Sequence, residues 1–266
     1  MPVRRLEPSF LEKVWGSTSL EPWFPNPTEK TGEAWYHFEG SPLLVKFLFT
    51  TEKLSVQVHP DDAYAGVHEH GSLGKTEMWH ILRADAGASV ALGFKQRISP
   101  ERLRESAESG EIMELLNWIP AAAGDTFFVA PGTVHALGEG LALVEVQQFS
   151  DVTYRLYDYG RDRPLHLKQS MDVASCGAHP GKSAVHGSVV ASCDYFTVEK
   201  QSWADPFSYE PRTDRFELLI VTSGAGTIDG NPYRAGECWL VEAGAQPFQV
   251  APADETHLLR AHVGRA

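Results

Sequence analysis

Residues 123–135 read AGDTFFVAPGTVH, and residues 235–247 read AGECWLVEAGAQP. Each opens on Ala-Gly-acid, continues as an apolar run containing a Val, and closes on a Gly-led turn at the same spacing. Self-similarity of this kind predicts two copies of one β-unit in the chain. The plainer alternative is that a Gly-acid turn before a strand is common in any β protein. His135 of the first copy falls opposite Pro247 of the second, so the second copy cannot repeat whatever His135 does.

Working outward, most other apolar runs are short and bounded by Gly, Pro or charged residues. Residues 43–49 (LLVKFLF), 77–82 (EMWHIL), 89–94 (SVALGF), 126–130 (TFFVA) and 141–149 (LALVEVQQF) read as strands. Several alternate with period two, which sends successive side chains to opposite faces of a sheet. One segment differs. Ser99-Pro100-Glu101 has the N-cap, the first-position Pro and the early acid of a helix start, so 99–117 reads as one or two short helices interrupted near Gly110. A further helix is expected over 167–174. The Gly/Ser/His-rich stretch 175–188 reads as a linker. The expected fold class is mainly β: two β-barrel (jelly-roll) domains, 1–180 and 181–266, with a small helical insertion.

The first half also holds a candidate metal centre. Gln57 and His59 in LSVQVHPDD are two apart on a strand and face one side; Glu77 opens the next clear strand, and His135 closes the turn after 126–130. An amide oxygen, a carboxylate and two imidazoles form a mixed donor set suited to Zn, Mn, Fe or Co. Four ligands from scattered strands leave positions open for water or substrate. Taken singly, each of the 11 histidines is more often a packed or surface residue than a ligand. His68 and His70, in VHEHG, read as part of an exposed loop.

Together these motifs resemble a known family. PGTVH after a Gly-acid turn is similar to the second motif of the cupins, and Gln57-Val58-His59 to a variant of their first. LLVKFLFTTEKLSVQVHPDD, GKTEMWHI, APGTVHAL and VEVQQFSDVTYRLYDYGR resemble the type I mannose-6-phosphate isomerases in their short bacterial form. The resemblance is strongest over residues 5–175. It implies cupin domains, and an aldose–ketose isomerase that interconverts mannose 6-phosphate and fructose 6-phosphate through an enediolate. It also implies one divalent metal ion per chain, zinc for choice, held by Gln57, His59, Glu77 and His135. Ser55 matches a residue near the sugar phosphate, Lys75 a lysine reaching the substrate, Glu145 and Arg155 an active-site acid and arginine, and Arg161 a phosphate contact. Without the resemblance these read differently: Lys75 and Glu77 as a solvated turn, Glu145 as a water-facing acid, Arg155 and Arg161 as partners of Asp158 and Asp162 in surface ion pairs. Trp15, Trp35 and Trp79 read as core. Glu217, opening FELLIV, corresponds to Glu77 but has no Gln-x-His beside it, so no metal is expected in the second domain.

Bulk properties bound the partners. A formal charge of −12 argues against nucleic acid or an anionic membrane, though not against a small phosphorylated molecule in a locally basic cleft. Cys176, Cys193 and Cys238 are odd in number and contain no CxxC, so neither a disulfide framework nor a thiolate zinc site is expected. MPVRRLEPSF has basic residues but no apolar stretch behind them, and no run approaches the ~18 apolar residues of a membrane span. The expectation is a cytoplasmic monomer or homodimer acting on a small sugar phosphate. Another metal-dependent cupin enzyme and a non-catalytic sugar-phosphate-binding cupin are the rivals.

Overall fold

The computed structural model describes residues 3–179, 181–182 and 187–264. Of the stretch read as a linker, Pro180 and residues 183–186 lie outside the described residues. Its first part is docked: Ser175 N donates to Gly132 O at 2.7 Å, and Phe94 and Ala178 form an isolated bridge.

The fold is mainly β. In the first half, strands Ser9–Ser17, Thr31–Tyr36, Leu43–Thr50, Leu141–Gln148, Glu77–Ala84 and Thr126–Val129 form one sheet in that order. A second sheet follows the order Tyr154–Tyr157, Val56–Val58, His135–Leu137, Ser89–Phe94 and Leu116–Pro120. Trp79, Ile81, Phe127 and Leu143 from the first sheet pack on Val90, Leu92 and Leu137 from the second, closing a sandwich. The outer face of the smaller sheet, with Val56, Val58, Ala136 and Leu156, is covered by Leu103, Ala107 and Ile112 of the helical insertion.

The second half repeats this plan. Val3–Arg5, Cys238–Val241, Glu217–Ser223, Thr256–Val263, Phe196–Trp203 and Val189–Ser192 make one sheet, and Phe207–Tyr209, Phe248–Pro252, Ala225–Ile228 and Asn231–Arg234 the other. The chain's first strand therefore belongs to the C-terminal sheet, where Val3 pairs with Val241. The echo in the sequence is an echo in register: Glu77 lies opposite Val129, and Glu217 opposite Val241.

The two large sheets pack face to face, with Phe47, Phe49, Val144 and Val146 against Leu218, Ile220, Leu240 and Leu259. Leu43–Thr50 and Leu141–Gln148 are consequently buried along their whole length. A strand buried on both faces is expected to be apolar throughout. Here the inward face instead carries Lys46, Glu145 and Gln147, and these mark the site.

The helical insertion follows its sequence signals. Ser99 caps Pro100–Ser109 through a hydrogen bond from Arg102 N, Gly110 ends it in the left-handed conformation, and Ile112–Leu115 forms a second short helix. The second helix stops short of the expected end at 117: Leu116 already starts a strand, paired with Phe94. Leu167–Val173 is helical as expected. A helix at Asp62–His68, capped by Asp61, replaces the start of the loop expected around the His68–His70 motif.

Candidate metal centre and active site

The two sheets of the first sandwich each deliver one row of side chains to the space between them. In the smaller sheet, Gln57 pairs with His135 on one side and Arg155 on the other, so the three stand on one row and face. Their neighbours Val56, Val58, Ala136 and Leu156 point the opposite way into the apolar layer under the helices. In the larger sheet, Glu145 pairs with Lys46 and with Trp79, and Gln147 with Glu77. Period-two alternation thus assembles a polar centre from residues remote in sequence.

His59, Glu77 and His135 are at most 1% exposed, and their ligand atoms lie within 4.8 Å of one another. Glu77 stands between the rings: Oε2 is 3.6 Å from His59 Nε2 and Oε1 is 3.4 Å from His135 Nε2. Each ring is oriented from behind. His59 Nδ1 donates to the Val152 carbonyl and His135 Nδ1 to the Thr133 carbonyl, both at 2.8 Å. In that tautomer both Nε2 atoms are acceptors turned toward Glu77, the usual backing of a metal-bound imidazole, and Lys75 Nζ lies 3.3 Å from His59 Nε2. The Gln57 amide is 3.2 Å from His135 Nε2, and Ser55 Oγ reaches its other end at 3.3 Å.

Protonation favours ligation as well. Burial pushes His59 well below the usual histidine range, with Lys75 and His135 adding to the shift, and it pushes His135 down to about 4. Both rings are therefore neutral near pH 7. Burial and the nearby Glu145 raise Glu77, against the pull of Lys75. Glu77 Oε1 accepts no hydrogen bond among the described residues. Two neutral imidazoles and an under-partnered buried carboxylate aimed at one point fit a divalent cation, which would favour the ionised carboxylate again.

Beside the ligands lies a buried charge network. Lys75 Nζ is 2.7 Å from Glu77 Oε2 and 3.7 Å from Glu145 Oε1. Lys46 Nζ reaches Glu145 Oε1 at 3.3 Å, and Trp79 Nε1 donates to Glu145 Oε2 at 2.9 Å. Burial opposes the charge on Glu145, but Lys75 and Lys46 outweigh it and the carboxyl stays ionised below its ordinary range. Burial likewise opposes the charge on Lys75, and Glu145 and Glu77 outweigh it, so its pKa rises. At 4%, 0% and 4% exposed, Lys75, Glu77 and Glu145 are not the solvated groups that their sequence surroundings alone suggested.

A cavity of about 280 Å³ opens onto this network, with Ser55, Gln57, Lys75, Glu145 and Arg155 in its wall. Arg161 is not in that wall. It turns to Glu52 Oε2 (2.9 Å), Asp158 Oδ1 (3.3 Å) and the Lys53 carbonyl (2.9 Å), close to the ion-pair alternative read from RLYDYGRDR. Lys13, Glu33, Lys46, Asp151 and Arg163 also line the cavity, and the sequence reading singled out none of them. Lys46 was detectable, as a lysine inside an apolar strand. Trp15 and Trp79 are buried, but Trp15 also lines the cavity, Trp79 donates to Glu145, and Trp35 lies under Lys46 at 4.6 Å, so all three do more than fill core. His68 and His70 take no part in the metal-ligating group. Cys176, Cys193 and Cys238 form no disulfide with one another.

Comparison with known proteins agrees with this geometry. No family model matches the chain. The chain is 34% identical to Mannose-6-phosphate isomerase ManA of Bacillus subtilis (strain 168), covering 92% of this chain and 94% of that protein. It is 37% identical to the Mannose-6-phosphate isomerase of Streptococcus mutans serotype c, over 84% and 87% of the two chains. The crystal structure of the mannose 6-phosphate isomerase from Bacillus subtilis superposes with a TM-score of 0.86 at 29% identity, covering 97% of this chain and 98% of that one. A mannose 6-phosphate isomerase bound with zinc and yttrium shares the fold at a TM-score of 0.75 and 15% identity, covering each chain in full. The chain belongs to the mannose-6-phosphate isomerase family.

Proposed function

We propose that the protein is a zinc-dependent isomerase interconverting mannose 6-phosphate and fructose 6-phosphate, with one ion per chain held by Gln57, His59, Glu77 and His135. The observation that carries this reading is the meeting of that donor set with the Lys46–Glu145–Lys75 network at the wall of one cavity. When bound, the ion would supply Lewis-acid stabilisation of negative charge on sugar oxygens. The chain supplies the rest. Aldose–ketose isomerisation moves a proton between C2 and C1 and shuttles another between O1 and O2. Glu145, kept ionised, is the group disposed to accept a proton; Lys75, kept charged, is disposed to donate one. Arg155, on the row of Gln57 and His135, offers a fixed positive charge that orients the substrate. Ser55 braces the Gln57 amide and faces the substrate.

The second sandwich carries no metal in this proposal. Its counterpart of Glu77, Glu217, faces Arg260 NH1 at 3.3 Å and Arg212 Nε at 3.5 Å, so guanidinium groups stand where a cation would have to bind. A cytoplasmic location is part of this proposal, because a phosphorylated sugar does not cross a bilayer unaided. Among the described residues no helix is long and apolar enough to cross a membrane.

The test is turnover of mannose 6-phosphate in a coupled assay, by chelated and then zinc-reconstituted protein. Chelation should abolish turnover and zinc restore it. His135→Ala should lose metal and turnover together, while Arg155→Ala should keep metal and lose most turnover. Binding of mannose 6-phosphate without turnover by metal-loaded protein would favour a sensor instead.

A further inference from the structure

The outer wall of the cavity holds more positive charge than the proton transfers use. Arg155, Arg161 and Arg163 surround one buried acid, Asp158. Asp158 accepts from Arg163 Nε and NH2, both at 2.6 Å, and from Arg161 NH1 at 3.3 Å. Arg155 Nε lies 3.9 Å from Asp158 and, among the described residues, has no hydrogen-bond partner. The turn that sets this arrangement is held by Tyr159, in the left-handed region at φ 56°, whose hydroxyl donates to the Leu54 carbonyl at 3.0 Å.

The three guanidinium groups differ in what they have left to offer. Arg161 is neutralised by Glu52 and tied to the Lys53 carbonyl, and its side chain is outside the cavity wall. Arg163 commits Nε and NH2 to Asp158, which fixes its plane, and among the described residues NH1 makes no hydrogen bond. Its side chain lines the cavity with Arg155, Ser55 and Thr153. Asp151 lines the cavity too and opposes an anion there, and the two cavity-facing arginines together offset it. Burial and the nearby charge of Arg163 lower the pKa of Arg155, with Asp158 opposing. An anion between the two guanidiniums would relieve that repulsion.

We propose that Arg163, oriented by Asp158, holds the phosphate of the substrate together with Arg155, and that Arg161 is a brace for the loop and not a phosphate contact. The ligand chemistry is a phosphate dianion, which guanidinium donors in a fixed plane recognise well. The assignment rests on the sugar-phosphate reading of the cavity. It also replaces Arg161, the residue that family resemblance nominates, with its neighbour two positions on.

The experiment uses metal-replete protein and two probes, inorganic phosphate and mannose 6-phosphate. Calorimetric titration with inorganic phosphate reads binding independently of catalysis, and the coupled assay reads KM and kcat. Arg163→Gln should weaken phosphate binding and raise KM by roughly tenfold or more, with a smaller change in kcat, as expected for loss of a contact made equally in ground and transition states. Arg163→Lys should recover part of both. Arg161→Gln should change both by less than Arg163→Gln does, and unchanged melting curves should show that the variants are folded. Unaltered phosphate affinity and KM in Arg163→Gln, or a larger effect from Arg161→Gln, would overturn the assignment while leaving the isomerase reading intact. If wild type showed no turnover but bound phosphate in an Arg163-dependent way, the isomerase reading would fall and the Arg163 assignment would stand.

Discussion

Lys46 lies in LLVKFLF between Val45 and Phe47 and is 3% exposed. A buried lysine needs a partner, and its partner Glu145 sits on a strand far along the chain, so sequence alone offers the lysine without the reason for it. His59, Glu77 and His135, which lie together in the structure, could be singled out because their signals are local: His59 follows the short strand Val56–Val58 directly, and Glu77 and His135 each open a strand. Which arginine of RLYDYGRDR turns inward was not legible, because a turn with Tyr159 and Gly160 at positive φ decides it. Lys46→Met keeps the apolar stem and removes the charge. Glu145 then retains only the more distant Lys75 and the Trp79 indole. Metal content should be unchanged while turnover falls roughly tenfold or more, the scale of one charge-assisted contact worth about 1.5–3 kcal/mol. Full turnover in the variant would remove Lys46 from the working site.

At the level of elements, strand positions and the capped helix after Ser99 were readable because their signals are local. The seven-residue helix Asp62–His68 was not: it buries only Ala65, so it has almost no apolar stripe. The echoed Ala-Gly-acid turns show how identical local sequence meets different surroundings. Gly124 and Gly236 both adopt positive φ, 90° and 92°. A Cβ on Gly124 would meet nothing within 4 Å, whereas one on Gly236 would lie 2.3 Å from the Trp23 carbonyl oxygen. Trp23 is itself anchored to the second sandwich, its indole donating to the Thr222 carbonyl at 2.8 Å. Gly124→Ala should therefore cost only the left-handed backbone penalty, about 1–2 kcal/mol. Gly236→Ala adds a clash with backbone and should cost about 3 kcal/mol or more. Denaturant midpoints compare the two directly; equal losses would show that the Trp23 segment yields freely.

Across the whole molecule, the duplicated register explains why one half carries the site. Glu145 pairs with Lys46 in the first large sheet, and at the corresponding positions of the second Arg260 pairs with Glu199. An ion pair survives there, half-buried and with its polarity reversed, the cation now lying beside Glu217. The division near residue 180 expected from the repeat is crossed by the packing. Val3–Arg5 is a strand of the C-terminal sheet, and the outer face of the N-terminal sheet is core only because the other sheet covers it. Val45, Phe47, Phe49, Met78, Val144 and Val146 would be stripped of that cover in a chain ending at 180, a contiguous apolar surface larger than soluble monomers expose. The residues proposed to hold the metal all lie in this half, so a fragment of residues 1–180 keeps every donor and loses the support behind them. It should be insoluble, or soluble only as a dye-binding species with no cooperative melt, and it should hold metal far more weakly than the full chain. Light scattering, hydrophobic-dye fluorescence and a melting curve on the purified fragment decide the matter. A sharp transition with full metal content would mean that the second sandwich is dispensable to the first, and that the shared core between the sheets contributes little to holding the site.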